Sequence, residues 1–234
     1  MQSGETPKYL CDDCQDYGRI YFDEVAENGK IYKMMKDCIC KLEKLRQKRL
    51  EVIPPNFRHA VLKDIQPMKN IHPFQAVCIP KMKVNPFDSY FLAGKTGTGK
   101  SMLMWALYRE AVMQDKRIVA CTLSELLDEY KRFIHLSMNK QELIYPRLSA
   151  EDLRQNHTKF SIFFDDIDKA RPTEYAMEQL FELANAIYDF QHQVVVTTNL
   201  RLTKLIEHFE RADERFGGAI VRRLINNGMI CEMF

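Results

Sequence analysis

The sequence predicts an α/β chain, a doubly wound parallel sheet carrying a phosphate-binding loop, with a small cysteine-rich module ahead of it. Three observations predict this. Apolar runs such as Tyr90–Ala93, Phe160–Phe164 and Val194–Val196 alternate with helical patterns, and continuous apolarity marks strands buried on both faces. Gly94-Lys95-Thr96-Gly97-Thr98-Gly99-Lys100-Ser101 directly follows the first run and fits G-x-x-x-x-G-K-[ST] in its setting of strand, turn and helix. Four of the seven cysteines fall at 11, 14, 38 and 40, around an alternating aromatic stretch.

The elements follow in order. Gly18–Phe22 and Lys30–Met34 alternate in hydropathy around Glu27-Asn28-Gly29, a hairpin signal. Residues 41–52 read as a basic helix, which Pro54-Pro55 stops. Tyr90–Ala93 is then a strand, Lys100–Gln114 its helix and Arg117–Thr122 the next strand, with a helix from Ser124. Phe160–Phe164 is an apolar strand ending in Asp165-Asp166. Thr173–Phe190 is a long amphipathic helix opened by Pro172, and Gln193–Thr198 is a strand ending at Asn199. The expected division is a metal module over 1–40, a basic helix and linker over 41–55, and the α/β domain over 56–234.

Composition sets outer bounds. A chain of 234 residues with 46% hydrophobic and 28% charged residues buries a sizeable core. With 34 basic against 32 acidic residues, total charge gives no indication of a nucleic-acid partner. No apolar run approaches the ~20 residues that span a bilayer, and the first residues lack a signal-peptide pattern, so a cytoplasmic protein without membrane contact is expected. In that compartment the cysteines are not a disulfide framework, and the scattered Cys78, Cys121 and Cys231 are expected in the core.

The phosphate loop carries the clearest chemistry. Its glycines let backbone N–H groups close around phosphate oxygens, in conformations that a Cβ obstructs. Lys100 reaches the β- and γ-phosphates of ATP, Ser101 is a Mg²⁺ ligand, and the following helix points its positive end at the anion. The Phe160–Phe164 strand delivers two carboxylates to the same edge of the sheet: Asp165 for Mg²⁺, Asp166 to orient or deprotonate water. Val194–Thr198 ends in Asn199, whose amide can sit beside the γ-phosphate or cap the helix that follows.

Cys11-x-x-Cys14 and Cys38-x-Cys40, with a hairpin between them, supply four thiolates on short loops, as tetrahedral Zn²⁺ requires. A redox pair would sit at a strand-to-helix junction and leave Cys38 and Cys40 unexplained. Four cysteines close the coordination sphere, so this centre is expected to be structural. Lys41, Lys44, Arg46, Lys48 and Arg49 give the adjoining helix a basic character that suits either phosphates or solvent. Tyr130-Lys131-Arg132-Phe133-Ile134-His135 mixes aromatic and basic residues; it suits single-stranded DNA or, at helical spacing, a packed core face.

Phosphate loop, Asp-Asp strand and Thr197-Thr198-Asn199 strand together resemble the AAA+ ATPases. Within them the chain is similar to the bacterial replicative helicase loaders of the DnaC/DnaI type and to the IstB-type transposition ATPases. Cys11-Asp12-Asp13-Cys14 with Cys38-Ile39-Cys40 resembles the cysteine-rich segment of such loaders, and Ile53-Pro54-Pro55-Asn56-Phe57-Arg58-His59-Ala60 resembles their entry into the ATPase, near the adenine. The resemblance covers residues 11 to about 230. It implies self-association through the ATP site, with an arginine from one subunit completing the next; Arg223 in Gly218–Leu224 matches best, with Arg215 the alternative. It implies single-stranded DNA facing the 130–135 region and a replicative DNA helicase as the partner. A transposition ATPase, or an ATP-gated DNA-binding adaptor with little hydrolysis, is the alternative. A small-molecule kinase would need an arginine-bearing lid, and the Thr-Thr-Asn strand argues against it.

Overall fold

The computed structural model describes residues 10–67, 73–138, 147–156, 158–225 and 228–234. It divides into two compact units, Met1–Pro54 and Pro55–Phe234. In the first, β1 (Arg19–Val25) and β2 (Ile31–Asp37) pair antiparallel with Phe22 opposite Met34. The turn closes as expected: Gly29 adopts a φ of +77°, and the Asn28 side chain accepts the Lys30 N–H at 3.0 Å. Every residue of β2 is exposed, and Tyr21, Val25, Ile31 and Met35 leave apolar surface on one face of the ribbon. Helix α1 (Ile39–Glu51) follows at once.

The basic segment divides differently from the expected 41–55 boundary. Cys38 is the N-cap of α1, its carbonyl accepting from Lys41 N and Leu42 N, and Cys40 lies in the first turn. The helix therefore grows out of the cysteine cluster and belongs to its unit. Lys41 adds an ion pair to Asp37 at 2.7 Å.

The second unit contains α2 (Pro73–Val84), β3 (Tyr90–Gly94), α3 (Lys100–Met113), β4 (Arg117–Thr122), α4 (Leu123–Met138), α5 (Ala150–Gln155), β5 (Phe160–Asp165), α6 (Glu174–Asp189), β6 (Gln193–Thr198), α7 (Leu202–Glu210), α8 (Gly217–Ile225) and β7 (Met229–Met233). The five strands are all parallel, in the order β4-β5-β6-β3-β7. Side chains alternate across the sheet. Phe163 meets Tyr108 of α3 edge-on at 5.4 Å, whereas Ile162 and Phe164 join the core cluster with Met177, Leu180 and Ile220 of α6 and α8. Both faces are covered, as the continuous apolar runs require.

Strand β7 does not announce itself in the sequence, because Met-Ile-Cys-Glu-Met is short and interrupted by a carboxylate. It lies beside the strand that carries the phosphate loop and approaches it closely: a Cβ on Gly94 would sit 2.6 Å from the Met233 carbonyl oxygen. Cys78, Cys121 and Cys231 are buried. Among the described residues no helix is long and apolar enough to cross a membrane.

Candidate functional site

The carboxyl ends of β3, β5 and β6 converge, because β6 lies between the other two. The phosphate loop needs two left-handed glycines, Gly97 at φ +85° and Gly99 at φ +83°. A side chain at Gly97 would meet nothing, so the constraint there is the backbone itself. Thr98 turns its hydroxyl inward onto the Lys95 carbonyl at 2.8 Å, and Gln75 of α2 braces the Thr98 carbonyl from behind at 2.8 Å. Thr96, Gly97, Gly99, Lys100 and Ser101 line a cleft of about 460 Å³ together with Phe57, Met102, Asp166, Lys169 and Asn199. Phe57 and Met102 give it an apolar flank. The segment carrying Phe57 is fixed to α3, where Arg109 donates to the Ala60 and Arg58 carbonyls.

Lys100 is buried with its ammonium satisfied three ways, by Gly94 O at 2.8 Å, Lys95 O at 2.9 Å and Asn199 Oδ1 at 3.0 Å. Burial lowers its pKa, against the opposing pull of Asp166, Asp168 and Asp165. Ser101 donates to Asp165 Oδ1 at 3.1 Å, so hydroxyl and carboxylate face one point, as two ligands of one Mg²⁺ must. Asp166 adopts a left-handed φ of +49° as the chain leaves β5. Asn199 Nδ2 then donates to Asp166 Oδ1 at 3.2 Å. Lys100, Ser101, Asp165, Asp166 and Asn199 are thus brought together.

Two residues of this cluster were given no role of their own in the sequence reading. Thr197, wholly buried, donates to Asp165 Oδ1 at 2.6 Å and accepts the Asp166 N–H at 2.8 Å, fixing both carboxylates at once. A polar residue inside Val-Val-Val-Thr-Thr, one strand away from Asp-Asp, was the available signal. Lys169 pairs with Asp166 Oδ2 at 2.5 Å, and that contact raises its pKa.

Arg223 and Arg215 do not line this cleft. The Arg223 guanidinium stacks over Phe181 at 5.0 Å and donates to Ala219 O at 3.3 Å, while Arg215 holds Asp213 in a fork with Nε to Oδ1 at 3.0 Å. In the 130–135 region Tyr130 is buried, its hydroxyl on the Leu148 carbonyl at 2.9 Å, so this ring serves the core. Lys131 and Arg132 are exposed. Phe133 borders a second hollow of about 520 Å³ with Arg117 and Arg147, both engaged: Arg147 with Glu129, Arg117 with Asn156 and over the Phe160 ring.

In the first unit the Sγ atoms of Cys11, Cys14, Cys38 and Cys40 all lie within 4.8 Å of one another. Cys11 and Cys38 are 3.7 Å apart and Cys14 and Cys40 3.4 Å, close to the ~3.8 Å edge of a tetrahedron built on Zn–S bonds of about 2.3 Å. The Gly18 N–H donates to Cys14 Sγ at 3.3 Å, and Asp16 accepts from the Leu10 and Cys11 amides, so the outer shell is also set. Burial pushes the Cys14 thiol up while hydrogen bonds with Cys40 and the Gly18 amide draw it down to about 7, and the same Cys14 contact, with burial, pushes Cys40 up to about 12. The donor set, spacing and geometry fit a structural Zn²⁺.

The model of the ATPase family associated with various cellular activities (AAA) matches residues 90–223, from the phosphate-loop strand to Arg223. The chain belongs to that family. Among curated proteins it is 23% identical over 138 residues to the chromosomal replication initiator protein DnaA of Aliarcobacter butzleri (strain RM4018), covering 58% of this chain and 28% of the initiator. Its fold is similar to that of DnaI (TM-score 0.56, 14% identity, 78% of this chain and 95% of that one) and of the DnaC helicase loader (0.53, 15%, 77% and 100%). It is also similar to the replication initiator DnaA bound to AMPPCP and single-stranded DNA (0.54, 14%, 77% and 50%). The chain thus spans 28% and 50% of these two initiators, and nearly all of the DnaI and DnaC structures. At these identities the structural likeness establishes a shared fold.

Proposed function

We propose that this AAA protein hydrolyses ATP, assembles on single-stranded DNA through its ATP site, and delivers a replicative DNA helicase. The observation that carries this reading is the joined network Lys100–Asn199–Asp166 beside Ser101–Asp165, built at the ends of three adjacent parallel strands. It joins a buried cation suited to phosphate, a hydroxyl–carboxylate pair suited to one metal ion, a second carboxylate suited to act as base, and an amide that touches both the cation and that carboxylate. Likeness in fold to a helicase loader and to an initiator bound to single-stranded DNA supports the replication role.

In this mechanism Gly97 and Gly99 turn backbone amides onto the phosphates, and Lys100 exchanges its Gly94 and Lys95 carbonyl partners for phosphate oxygens. Ser101 and Asp165 would hold Mg²⁺, which supplies charge neutralisation at the β- and γ-phosphates. Asp166 accepts the proton of a water that attacks the γ-phosphorus as the bond to the β-phosphate oxygen breaks, leaving ADP and phosphate. Asn199 orients that water and, through Lys100, responds to the loss of the γ-phosphate. Arg223 acts on a neighbouring subunit's site, and Phe57 flanks the adenine. Cys11, Cys14, Cys38 and Cys40 would hold one Zn²⁺ as a structural staple, and the exposed ribbon of their unit offers apolar surface for gripping the helicase.

The test is capture of purified replicative helicase by the full chain with ATP, with a non-hydrolysable analogue and without nucleotide, alongside a phosphate-release assay. Analogue-dependent retention of the helicase and ATP-dependent release support the reading. Retention of a transposase instead favours the transposition role, and no phosphate release favours the adaptor.

A further inference from the structure

Asp166 is held in place by its backbone. Its N–H is fixed on Thr197, and its carbonyl accepts the Lys169 N–H at 3.0 Å in the turn that follows. Only the side chain can respond to a ligand, and there both carboxylate oxygens are engaged: Oδ1 by the Asn199 amide and Oδ2 by the Lys169 ammonium. A carboxylate occupied in this way is a poor proton acceptor, because water must displace a cation to reach it. Lys100, the other cation of the cleft, contacts carbonyls and Asn199 rather than Asp166.

The two partners differ in mobility. The Asp166 side chain is 22% exposed, whereas Lys169 is 66% exposed and lines the mouth of the cleft on a four-carbon arm. Ion pairs of that exposure are weak and exchange readily. A triphosphate entering the cleft places several negative charges within reach of the same ammonium.

We infer that Lys169 is a positioning residue that masks Asp166 as a base, its ammonium shared between that carboxylate and the bound phosphates so that the base is free in only part of the nucleotide-bound population. This rests on the reading of Asp166 as the water-activating carboxylate. Lys169 thereby couples nucleotide occupancy to the availability of the base within one subunit. Its residue type is decisive, since a neutral side chain at this position would leave Asp166 permanently unmasked.

The test compares wild type with Lys169→Met, which keeps the arm and loses the charge, and Lys169→Arg, which keeps the charge. Steady-state phosphate release gives kcat and KM for ATP, and a fluescent ATP analogue gives the affinity separately. Lys169→Met is expected to raise kcat about threefold or more with KM and analogue affinity within about twofold, and Lys169→Arg to restore the low rate. Adding Asp166→Asn to Lys169→Met should remove the gain. An unchanged or lower kcat in Lys169→Met, with wild type active, overturns the mask alone. Nucleotide binding without hydrolysis in either protein overturns the hydrolytic reading and the mask together.

Discussion

Lys100 Nζ and Asn199 Oδ1 lie 3.0 Å apart, joining the phosphate loop to the end of β6 across the cleft. The same asparagine reaches Asp166 through its other amide atom. In the proposed mechanism a change at the γ-phosphate that moves Lys100 therefore reaches Asp166 through one side chain. Asn199→Ala should keep nucleotide binding but lower turnover by about tenfold or more, since it removes orientation rather than affinity. Analogue titration beside phosphate release separates the two effects.

Lys100→Ala should abolish nucleotide binding, whereas Asp166→Asn should retain it and lose about 10²–10⁴ in rate. The burial of Lys100 makes the first change severe, because Asn199 and two carbonyls lose their donor as well. Wild-type hydrolysis by Asp166→Asn would remove that residue from the chemistry.

Arg223→Ala should bind ATP yet lose about 10³ or more in rate if, as proposed, the guanidinium acts on a neighbour's γ-phosphate. Mixing it with Lys100→Ala should restore activity, as one variant supplies intact arginines and the other intact clefts. Arg223 rests on Phe181, so the change also removes a cation–π contact of about 0.5–1 kcal/mol. Mixed oligomers without recovery would count against action between subunits.

Neutralising the exposed Lys131 and Arg132 should weaken single-stranded DNA binding and flatten its salt dependence. Phe133→Ala should cost about 1–3 kcal/mol if that ring stacks on a base, whereas Tyr130→Ala should act on folding, since Tyr130 is buried. Fluorescence anisotropy of a labelled oligonucleotide and a thermal melt distinguish these roles. Cys38→Ser should release zinc and loosen the hairpin, because one of four thiolates is lost, while the backbone cap of α1, which uses no side chain, and nucleotide binding by residues 55–234 persist. Metal analysis of the wild type should give one zinc per chain.

His192 supplies a pH dependence. It is buried, its Nδ1 accepting the Phe160 N–H at 3.2 Å and its Nε2 facing the Leu153 carbonyl at 3.1 Å, so the ring is neutral with the proton on Nε2. Burial holds its pKa below the ordinary 6.5. The unfolded chain takes up that proton first, so stability is full above pH 6.5 and falls as pH drops below it. Urea midpoints at pH 7.5 and 5.5 should differ more for wild type than for His192→Phe, a variant weaker at both.

Much of the cleft was legible because its parts are contiguous in sequence. The run from Gly94 to Ser101 is one local turn, and Asp165-Asp166 and Asn199 each close an apolar strand. Local pattern also gave the hairpin, since an Asn-Gly turn sets its own register.

The sequence by itself marked the phosphate loop, Asp165-Asp166 and Asn199 as candidates: strand period, turn glycines and residue spacing are local properties that the backbone enforces wherever the segment sits. Tertiary structure alone decided which of them meet. Placing β6 between β3 and β5 lets the Thr197 hydroxyl hold both aspartates and lets Asn199 touch Lys100 and Asp166 together. It also set β7 against Gly94. These relations depend on strand order and on a left-handed residue at 166. No local pattern encodes them, because they arise from buried polar groups that must find partners once the sheet has closed around them.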